Sequence, residues 1–226
     1  MESPIDIAAG RILALPSNKP LRIGIDGRSA AGKTTFADGL GRRLQQAGRT
    51  VLRAGIDDFH PSGHASRSAT GGYTAESYYA EGYDYAAFRD FLLAPLNSGG
   101  DRRCRLRLHD SFTDTAVDSP AIEVTEDSIV VIDGCFLLRP ELHSYWEFVI
   151  WLDISFETMI ERAAKRDIAW MASEADVRVR YRDRWIPLHL LYEQSGARNY
   201  ADMIIDNEDF AAPRCVPVLD QIKRTR

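Results

Sequence analysis

The sequence predicts an α/β fold with a mainly parallel sheet of about five strands and helices on both faces. Two observations lead to this prediction. Short apolar runs, typical of strands that are buried on both sides, alternate along the chain with segments of helical periodicity. A glycine-rich stretch also joins the first predicted strand directly to the first long helix, which is the place where parallel sheets bind ligands.

The first strand and the glycine-rich stretch form one segment, Leu21 to Thr35, with the sequence LRIGIDGRSAAGKTT. It contains a complete GxxxxGK[ST] motif, whose glycines let successive backbone N–H groups point at a phosphate chain. In such a loop, Lys33 reaches the β- and γ-phosphates and Thr34 offers a hydroxyl to Mg²⁺. The motif therefore predicts a P-loop NTPase fold that binds ATP or GTP. The predicted nucleotide-binding residues are Gly27, Ser29, Ala30, Ala31, Gly32, Lys33, Thr34 and Thr35.

Two helices flank this loop in the sequence. Ser3 and Pro4 are typical of the cap and the first residue of a short N-terminal helix. After the loop, Phe36, Leu40 and Leu44 recur at helical spacing. The positive end of this second helix is expected to lie under the bound phosphates.

Two adjacent carboxylates, Asp57 and Asp58, follow the second predicted strand, Val51 to Ile56. In an α/β sheet this position lies beside the phosphate loop. Because side chains of a strand alternate between its two sides, we expect only one of the pair to face the γ-phosphate. Asp57 is predicted to be the general base for an acceptor hydroxyl, with Asp58 as support or a local cap. The alternative is an Asx turn that only ends the strand.

The segment 61–83 is rich in Ser, Gly and Tyr and lacks periodicity, which predicts a long loop of functional importance. Its tyrosines, including Tyr83, would either flank a planar ligand or pack the loop against the domain. Asp84 then begins a helical pattern. It is either the N-cap of that helix or a ligand carboxylate, and the cap is favoured when Asp84 is considered alone.

Four further strands and a final helix are predicted. The run SIVVID ends at Asp133, which stands where a P-loop protein carries the acid that holds Mg²⁺ directly or through water. The alternation of Arg103 to His109 predicts a strand with one arginine-rich side. The remaining predicted elements are strands at 148–152 and 201–207 and a helix at 213–223.

The predicted helix after the strand at 148–152 carries two arginines one turn apart. Ser155 is its predicted cap, and Arg162 and Arg166 share one face. We expect both to belong to a lid, about residues 162–185, that closes over the transferring phosphates. Four later arginines form either a solvated basic helix or part of this lid, and the sequence does not decide which of them reach the phosphates. They are Arg178, Arg180, Arg182 and Arg184.

Composition limits the class of protein. The 226 residues, 45% hydrophobic and 27% charged, predict a single domain over 1–226 with a substantial core. The net charge of −5 argues against nucleic acid as a partner. The N-terminal stretch does not resemble a signal peptide, no apolar run has the length of a membrane span, and three cysteines lack metal-ligand spacing. We therefore expect a cytoplasmic protein without a membrane partner. The oligomeric state stays open, and a homo-oligomer is compatible with the sequence.

The motifs together resemble the uridine kinase branch of the phosphoribulokinase/uridine kinase family of P-loop kinases. The resemblance runs from Leu21 to Asn207 and rests on GIDGRSAAGKTT, IDDFH, GYDYAAF, VVIDG, ERAAKRD and YRDRWIPLHLLYEQSGARNYADMIIDN. It implies transfer of the γ-phosphate of ATP or GTP, with Mg²⁺, to the 5′-hydroxyl of a nucleoside such as uridine or cytidine. It also implies roles for individual residues, which are catalysis for Asp57, ribose binding for Asp84, a place at the nucleoside pocket for His60, and lid function for Arg166.

The chain departs from the family pattern at four places, one of which is the segment Ile168 to Glu174, where the further lid arginines of the eukaryotic uridine–cytidine kinases are missing. The family's Glu-Gly after the metal-binding strand is Asp133-Gly134 here. The arginine that eukaryotic uridine–cytidine kinases carry three residues before the lid arginine is Ala163, and the segment 109–114 lacks their base-pocket arginine. Three alternatives therefore stay open. They are a kinase for another small alcohol such as nicotinamide riboside, pantothenate or a sugar, a nucleotide-driven switch or ATPase, and an inactive binding module.

Overall fold

A computed structural model describes residues 2–16, 18–111, 113–169 and 171–217. Its strands are β1 (Leu21–Gly27), β2 (Val51–Gly55), β3 (Arg103–Cys104), β4 (His109–Asp110), β5 (Thr115–Ala116), β6 (Ile122–Glu123), β7 (Ile129–Asp133), β8 (Phe148–Asp153), β9 (Met203–Asp206) and β10 (Arg214–Val216). Its α-helices are α1 (Pro4–Leu13), α2 (Lys33–Gln46), α3 (His64–Ala69), α4 (Ala75–Glu81), α5 (Tyr85–Phe88), α6 (Phe156–Arg166), α7 (Glu174–Arg180) and α8 (Ile186–Gln194).

The main sheet confirms the predicted α/β architecture. In the described part of the chain it has six strands in the order β10-β9-β8-β1-β7-β2, and only the edge strand β10 runs antiparallel. The register pairs Asp133 at the end of β7 with Ile25 of β1 on one side and Gly55 of β2 on the other. The carboxyl ends of these three strands therefore meet at one edge of the sheet, where the segments that follow them build the site.

Both faces of the sheet are covered, because successive residues of each central strand enter different hydrophobic clusters. In β7, Val130 and Ile132 belong to one cluster, whereas Ile129 and Val131 belong to the other. The second cluster also takes in the buried residues of α1 and α2, together with Ala31 of the phosphate loop. Burial of continuous apolar strands on both sides is the main contribution to the stability of such a sheet.

Two predicted helix starts are confirmed by cap hydrogen bonds. The Ser3 hydroxyl accepts from the Asp6 backbone N–H, with Pro4 in the first turn of α1. The Ser155 hydroxyl accepts from the Thr158 N–H at the start of α6. Side-chain oxygens at these positions satisfy N–H groups that the first turn of a helix leaves without partners.

The structure differs from the sequence prediction over the segment 61–83, which is not a long loop. It forms the two short helices α3 and α4, and α4 starts with a reciprocal capping box between Thr74 and Ser77. Both helices are too short for their amphipathic period to be read from the sequence. Burial of Tyr73 and Tyr78 in the core holds the segment down instead.

Two further predictions differ from the structure. The segment Arg103 to His109 is not one strand, since only β3 and β4 at its ends pair, each with a different two-residue partner. The predicted helix at 213–223 is wrong where the structure describes it, because β10 there extends the sheet beside β9. The rest of that prediction, from residue 218 onward, lies outside the described residues. None of the helices in the described ranges combines the length and the apolar character needed to cross a bilayer.

Candidate active site

A cavity of about 910 Å³ opens at the carboxyl ends of β1, β2 and β7. The phosphate loop forms its floor, the segment after β2 forms one wall, and the helices α6 and α7 with the residues after α7 form the opposite wall. These are the places where the sequence predicted the nucleotide, the acceptor and the lid. The cavity is large enough for two small ligands side by side.

The phosphate loop has the backbone shape that its glycines allow. Gly27 and Gly32 have φ of +138° and +88°, a region that glycine adopts without strain. A Cβ at Gly27 would also collide with the Leu152 carbonyl oxygen of the neighbouring strand, so the loop needs a glycine there. Lys33 Nζ donates to the Gly27 and Arg28 carbonyl oxygens at 3.1 and 2.8 Å and lies 3.2 Å from Cys135 Sγ.

Six of the eight predicted nucleotide-binding residues line the cavity, and the other two are buried. Within the loop, Gly27 and Ala31 are buried, and the Ala31 carbonyl accepts from the Asn207 side-chain amide at 2.7 Å. The other six line the cavity, namely Ser29, Ala30, Gly32, Lys33, Thr34 and Thr35. Because α2 begins at Lys33, its N-terminal N–H groups point toward the same space.

The two residues predicted to hold the metal lie side by side. The Thr34 hydroxyl donates to Asp133 Oδ2 at 2.6 Å, and Arg53 donates to the other carboxylate oxygen at 2.8 Å. A hydroxyl and a carboxylate oxygen next to the phosphate loop fit Mg²⁺, which prefers hard oxygen ligands and takes the rest from phosphates and water. Within the described ranges, no group of three or more His, Cys, Asp and Glu side chains could hold a metal by itself.

Asp57 and Asp58 both line the cavity, which corrects the expectation that they point to opposite sides. Strand β2 ends at Gly55, and the two carboxylates lie in a 3₁₀ turn, Ile56–Phe59, so strand alternation does not apply to them. The Asp57 side chain is 70% exposed, whereas that of Asp58 is 38% exposed and faces Arg107 at 3.6 Å. Burial raises the pKa of Asp58 above its usual value, against the opposing effect of Arg107.

Two predicted substrate residues hold Asp57 in position. The Tyr83 hydroxyl donates to Asp57 Oδ1 at 2.9 Å, and His60 Nε2 lies 3.9 Å from the same oxygen. Both side chains line the cavity, but the rings are packed on one another. His60 stacks on Tyr83 at 4.5 Å on one side and on His64 at 3.6 Å on the other. Neither face of the His60 ring is therefore open to a planar ligand.

Asp84 lies outside this cavity. Its carboxylate accepts from the Ala87 N–H at 2.8 Å and caps α5, as the sequence favoured for the residue considered alone. It is exposed and lines a separate groove on the far side of the buried Tyr83. The geometry supports the cap, and ribose binding by Asp84 stays a prediction from the resemblance.

The arginines of the predicted lid divide by their partners. Arg162 donates through Nη2 to the Asn207 and Glu208 carbonyl oxygens, while its Nη1 is buried without a hydrogen-bond partner among the described residues. Arg166 pairs with Asp167 at 2.6 Å and also donates to the Tyr181 hydroxyl. Arg162 and Arg166 both line the cavity, as predicted.

Of the four later arginines, only Arg180 lines the cavity in the described part of the chain. It has no ion-pair or hydrogen-bond partner among the described residues. Arg178 pairs with Glu174, and the buried Arg184 donates to the Tyr73 and Ser68 carbonyl oxygens. Arg182 is exposed outside the cavity. Arg180 is therefore the arginine of this group that can reach a bound phosphate.

Sequence reasoning missed two groups of residues around the cavity. Arg53 on β2 donates to the Asp133 carboxylate. Cys135 after β7 contacts Lys33. Three residues of α8, which are His189, Tyr192 and Glu193, contact the phosphate-loop segment from behind. Their helical spacing was visible, but nothing in a single sequence tells which face of α8 packs against the loop.

Comparison with known proteins agrees with the fold. The family described as AAA domain matches residues 23–178 of the chain. A uridine kinase from Brevibacillus brevis is 26% identical over 191 residues, which cover 82% of this chain and 84% of that protein. Among solved structures, a possible uridine kinase from Bacillus stearothermophilus has a TM-score of 0.68 at 26% identity, over 88% of this chain and 96% of that chain.

A more distant structure widens the range of acceptors found on this fold. A D-glycerate 3-kinase from Cryptococcus neoformans has a TM-score of 0.56 at 13% identity, over 96% of this chain and 100% of that chain. At that identity the likeness concerns the fold alone. By the matched residues, the order of the sheet and the phosphate loop, the chain belongs to the AAA domain family and is related to the uridine kinases among P-loop kinases.

Proposed function

We propose that this protein transfers the γ-phosphate of ATP to a hydroxyl group of a small molecule held beside Asp57. The observation that carries the proposal is the presence of an exposed carboxylate in the same cavity as a fully formed phosphate loop. A nucleotide-driven switch needs the loop alone, whereas the carboxylate that Tyr83 contacts offers a general base for an acceptor hydroxyl as well. GTP is the alternative donor.

In the proposed mechanism, the protein positions the reactants and neutralises charge, which dominate phosphoryl transfer. Backbone N–H groups of the loop and Lys33 bind the phosphates. Asp57 accepts the proton of the acceptor hydroxyl, and the Tyr83 hydrogen bond keeps its carboxylate aimed into the cavity. Thr34 and Asp133 would hold Mg²⁺, which supplies charge neutralisation at the phosphates when it is bound.

The arginines complete the proposed site from the opposite wall. Arg162 offers an unpartnered Nη1, and Arg180 offers a guanidinium without a partner in the described chain. Arg166 is positioned by Asp167 and Tyr181. We propose that these side chains stabilise the transferring phosphoryl group from a lid at about residues 162–185 of a single kinase domain, 1–226. The cytoplasm, predicted from the sequence, stays the proposed compartment.

The 5′-hydroxyl of uridine or cytidine is the acceptor that the relatives support, since one is named a uridine kinase and another a possible uridine kinase. One observation favours a second candidate, a small polyol or sugar without a planar base. The rings of His60, His64 and Tyr83 cover one another, and Asp84 lies outside the cavity. The acceptor end thus offers carboxylates for hydroxyl groups, but no open face of His60 for a base.

The test is ADP formation from ATP and Mg²⁺ with uridine, cytidine, nicotinamide riboside, pantothenate and several sugars supplied one at a time. A Lys33→Ala variant and a reaction without acceptor are the controls. Stimulation by one class of acceptor supports the proposed function and identifies that class. Hydrolysis that no alcohol stimulates would contradict it and favour the switch or ATPase.

A further inference from the structure

Helix α8 presents three side chains to the rear of the phosphate loop. His189, Tyr192 and Glu193 occupy positions i, i+3 and i+4, so they lie on one face of the helix. His189 and Tyr192 are buried. The proposed mechanism uses none of the three, yet each contacts a different residue of the segment 26–29.

Glu193 fixes Arg28 within the loop. The Glu193 carboxylate accepts two hydrogen bonds from the Arg28 guanidinium, at 2.7 and 2.8 Å, in the bidentate geometry that gives strong and directional pairing. The same guanidinium donates to the Ile154 carbonyl oxygen and lies over the Phe156 ring at 3.9 Å. With these partners, Arg28 serves to hold the loop and is not available to the phosphates.

His189 holds the next residue. Its Nε2 accepts from the Ser29 backbone N–H at 3.1 Å and lies 3.0 Å from the Ser29 hydroxyl. Burial keeps the pKa of His189 well below its usual value, with Lys33 and Arg28 acting in the same direction. The neutral imidazole is the form that can accept at Nε2. The Ser29 N–H therefore has a partner before any nucleotide is bound.

Tyr192 anchors the start of the loop through Asp26. The Tyr192 hydroxyl donates to Asp26 Oδ2 at 2.5 Å and accepts from the Leu138 N–H at 2.9 Å. The other Asp26 oxygen accepts from the Gly27 N–H at 2.7 Å. This network satisfies a fully buried carboxylate and fixes the residue that opens the glycine-rich turn.

We propose that α8 is a clamp that holds the phosphate loop in its nucleotide-binding shape before ATP arrives, with His189 and Glu193 as positioning residues. A loop of small and glycine residues loses much conformational freedom when a ligand orders it. Contacts that order the loop in advance remove that cost from binding. The inference rests on the proposed function only in taking ATP as the nucleotide that the loop binds.

Helix α8 also belongs to the same helical run as Arg180. Helix α7, the π-helical turn Tyr181–Trp185 and α8 follow one another with helical dihedral angles at both junctions. Arg180 is at the end of α7, and His189 lies in α8. The helical run that contacts the phosphate loop through α8 therefore also carries Arg180, whose side chain lines the cavity.

The test compares His189→Ala with His189→Gln, whose amide oxygen can accept in place of Nε2. The control is Gln194→Ala, an exposed residue of the same helix. We expect His189→Ala to weaken the Kd for Mg-ATP roughly tenfold, because the Ser29 N–H loses the acceptor that orders the loop. His189→Gln should restore most of that affinity, and kcat at saturating ATP should stay within about twofold.

Amide hydrogen exchange at Ser29 separates the clamp from a general role in stability and needs no nucleotide. The proposal expects faster exchange in His189→Ala, protection in His189→Gln and no change in Gln194→Ala. Equal ATP affinity and equal Ser29 protection in all three variants would overturn it. Should His189→Ala not fold, Glu193→Gln takes its place, since its pair with Arg28 is partly exposed. A wild-type chain that protects Ser29 but does not bind ATP would overturn the proposed function and leave the clamp standing.

Discussion

The two ends of the cavity are built in different ways. At the phosphate end, residues 26–31 have partners from other elements, among them Asn207 on Ala31 and the α8 residues on Arg28 and Ser29. At the acceptor end, Asp57 lies in a 3₁₀ turn and is 70% exposed, and its carboxylate is contacted by the Tyr83 hydroxyl and, at 3.9 Å, by His60 Nε2. Tyr78 of the short helix α4 also lines the cavity.

This difference separates a general function from a specific one. Binding a triphosphate requires one fixed arrangement of N–H groups, which a rigid loop on a central strand provides. Choosing an acceptor depends on side chains carried by short, exposed segments that can change without disturbing the sheet. The relatives agree with this division, since proteins named for different acceptors share the fold.

The largest expected effect is at the acceptor end. Replacement Asp57→Asn should lower turnover by about a hundredfold or more, because the acceptor hydroxyl loses its general base. ATP affinity should be unchanged, since the phosphate end is intact. Steady-state ADP formation and calorimetric ATP titration measure the two quantities. Asp58→Asn is the matched control, and a loss there as large as in Asp57→Asn would assign the base to the wrong carboxylate.

A smaller effect on turnover is expected from replacing Arg180. Arg180→Gln should reduce turnover by roughly tenfold to a hundredfold, because one cation facing the transferring phosphoryl group is lost. Arg182→Gln removes the same charge from the same helical run but outside the cavity, and it should stay within about twofold of wild type. The measurement is the initial rate at saturating ATP and acceptor. Equal losses in both variants would indicate a general charge effect.

The free energy of unfolding should also fall in acid, because of His64 beside the acceptor end. Burial, with help from His60, lowers the pKa of His64 to about 3. The unfolded chain, with histidine near its ordinary value of about 6.5, binds this proton more readily, so stability falls as pH drops from about 6.5 toward 3. The slope due to one such group is at most about 1.4 kcal/mol per pH unit.

Urea unfolding from about pH 7 to about pH 5 measures this slope in the wild type and in His64→Phe, which keeps a ring in the stack. The variant should show a shallower loss of unfolding free energy. Identical slopes in the two proteins would show that His64 titrates alike in the folded and unfolded chains.

The smallest effect distinguishes a cap from a ligand at Asp84. Asp84→Ala should lower the unfolding free energy by about 1 kcal/mol, whereas Asp84→Asn, a good N-cap, should change it little. Neither should alter the KM for the acceptor, because Asp84 lies outside the main cavity. A raised acceptor KM in Asp84→Asn with unchanged stability would restore the ribose-binding role that the resemblance implies.

The sequence by itself determined the phosphate end. Strand β1, the glycine-rich loop and α2 are contiguous, so apolar periodicity and a spaced motif were enough to predict their shape and their ligand. The position of Asp133 could also be predicted from the sequence, because it ends a buried apolar run whose place in a parallel sheet is fixed by register. The Ser3 and Ser155 caps were read correctly for the same reason, since capping is a local interaction.

Only the tertiary structure decided what the distant segments contribute. Asp57 and Asp58 share a cavity because β2 stops one residue earlier than its apolar pattern and a 3₁₀ turn follows. Arg180 rather than Arg178 or Arg182 lines that cavity because of how this helical run packs. The stacking of His60 between His64 and Tyr83, and the grip of α8 on the loop, join residues far apart in the chain. Side-chain contacts between separate elements depend on how those elements pack in three dimensions, and no local pattern in one sequence encodes that packing.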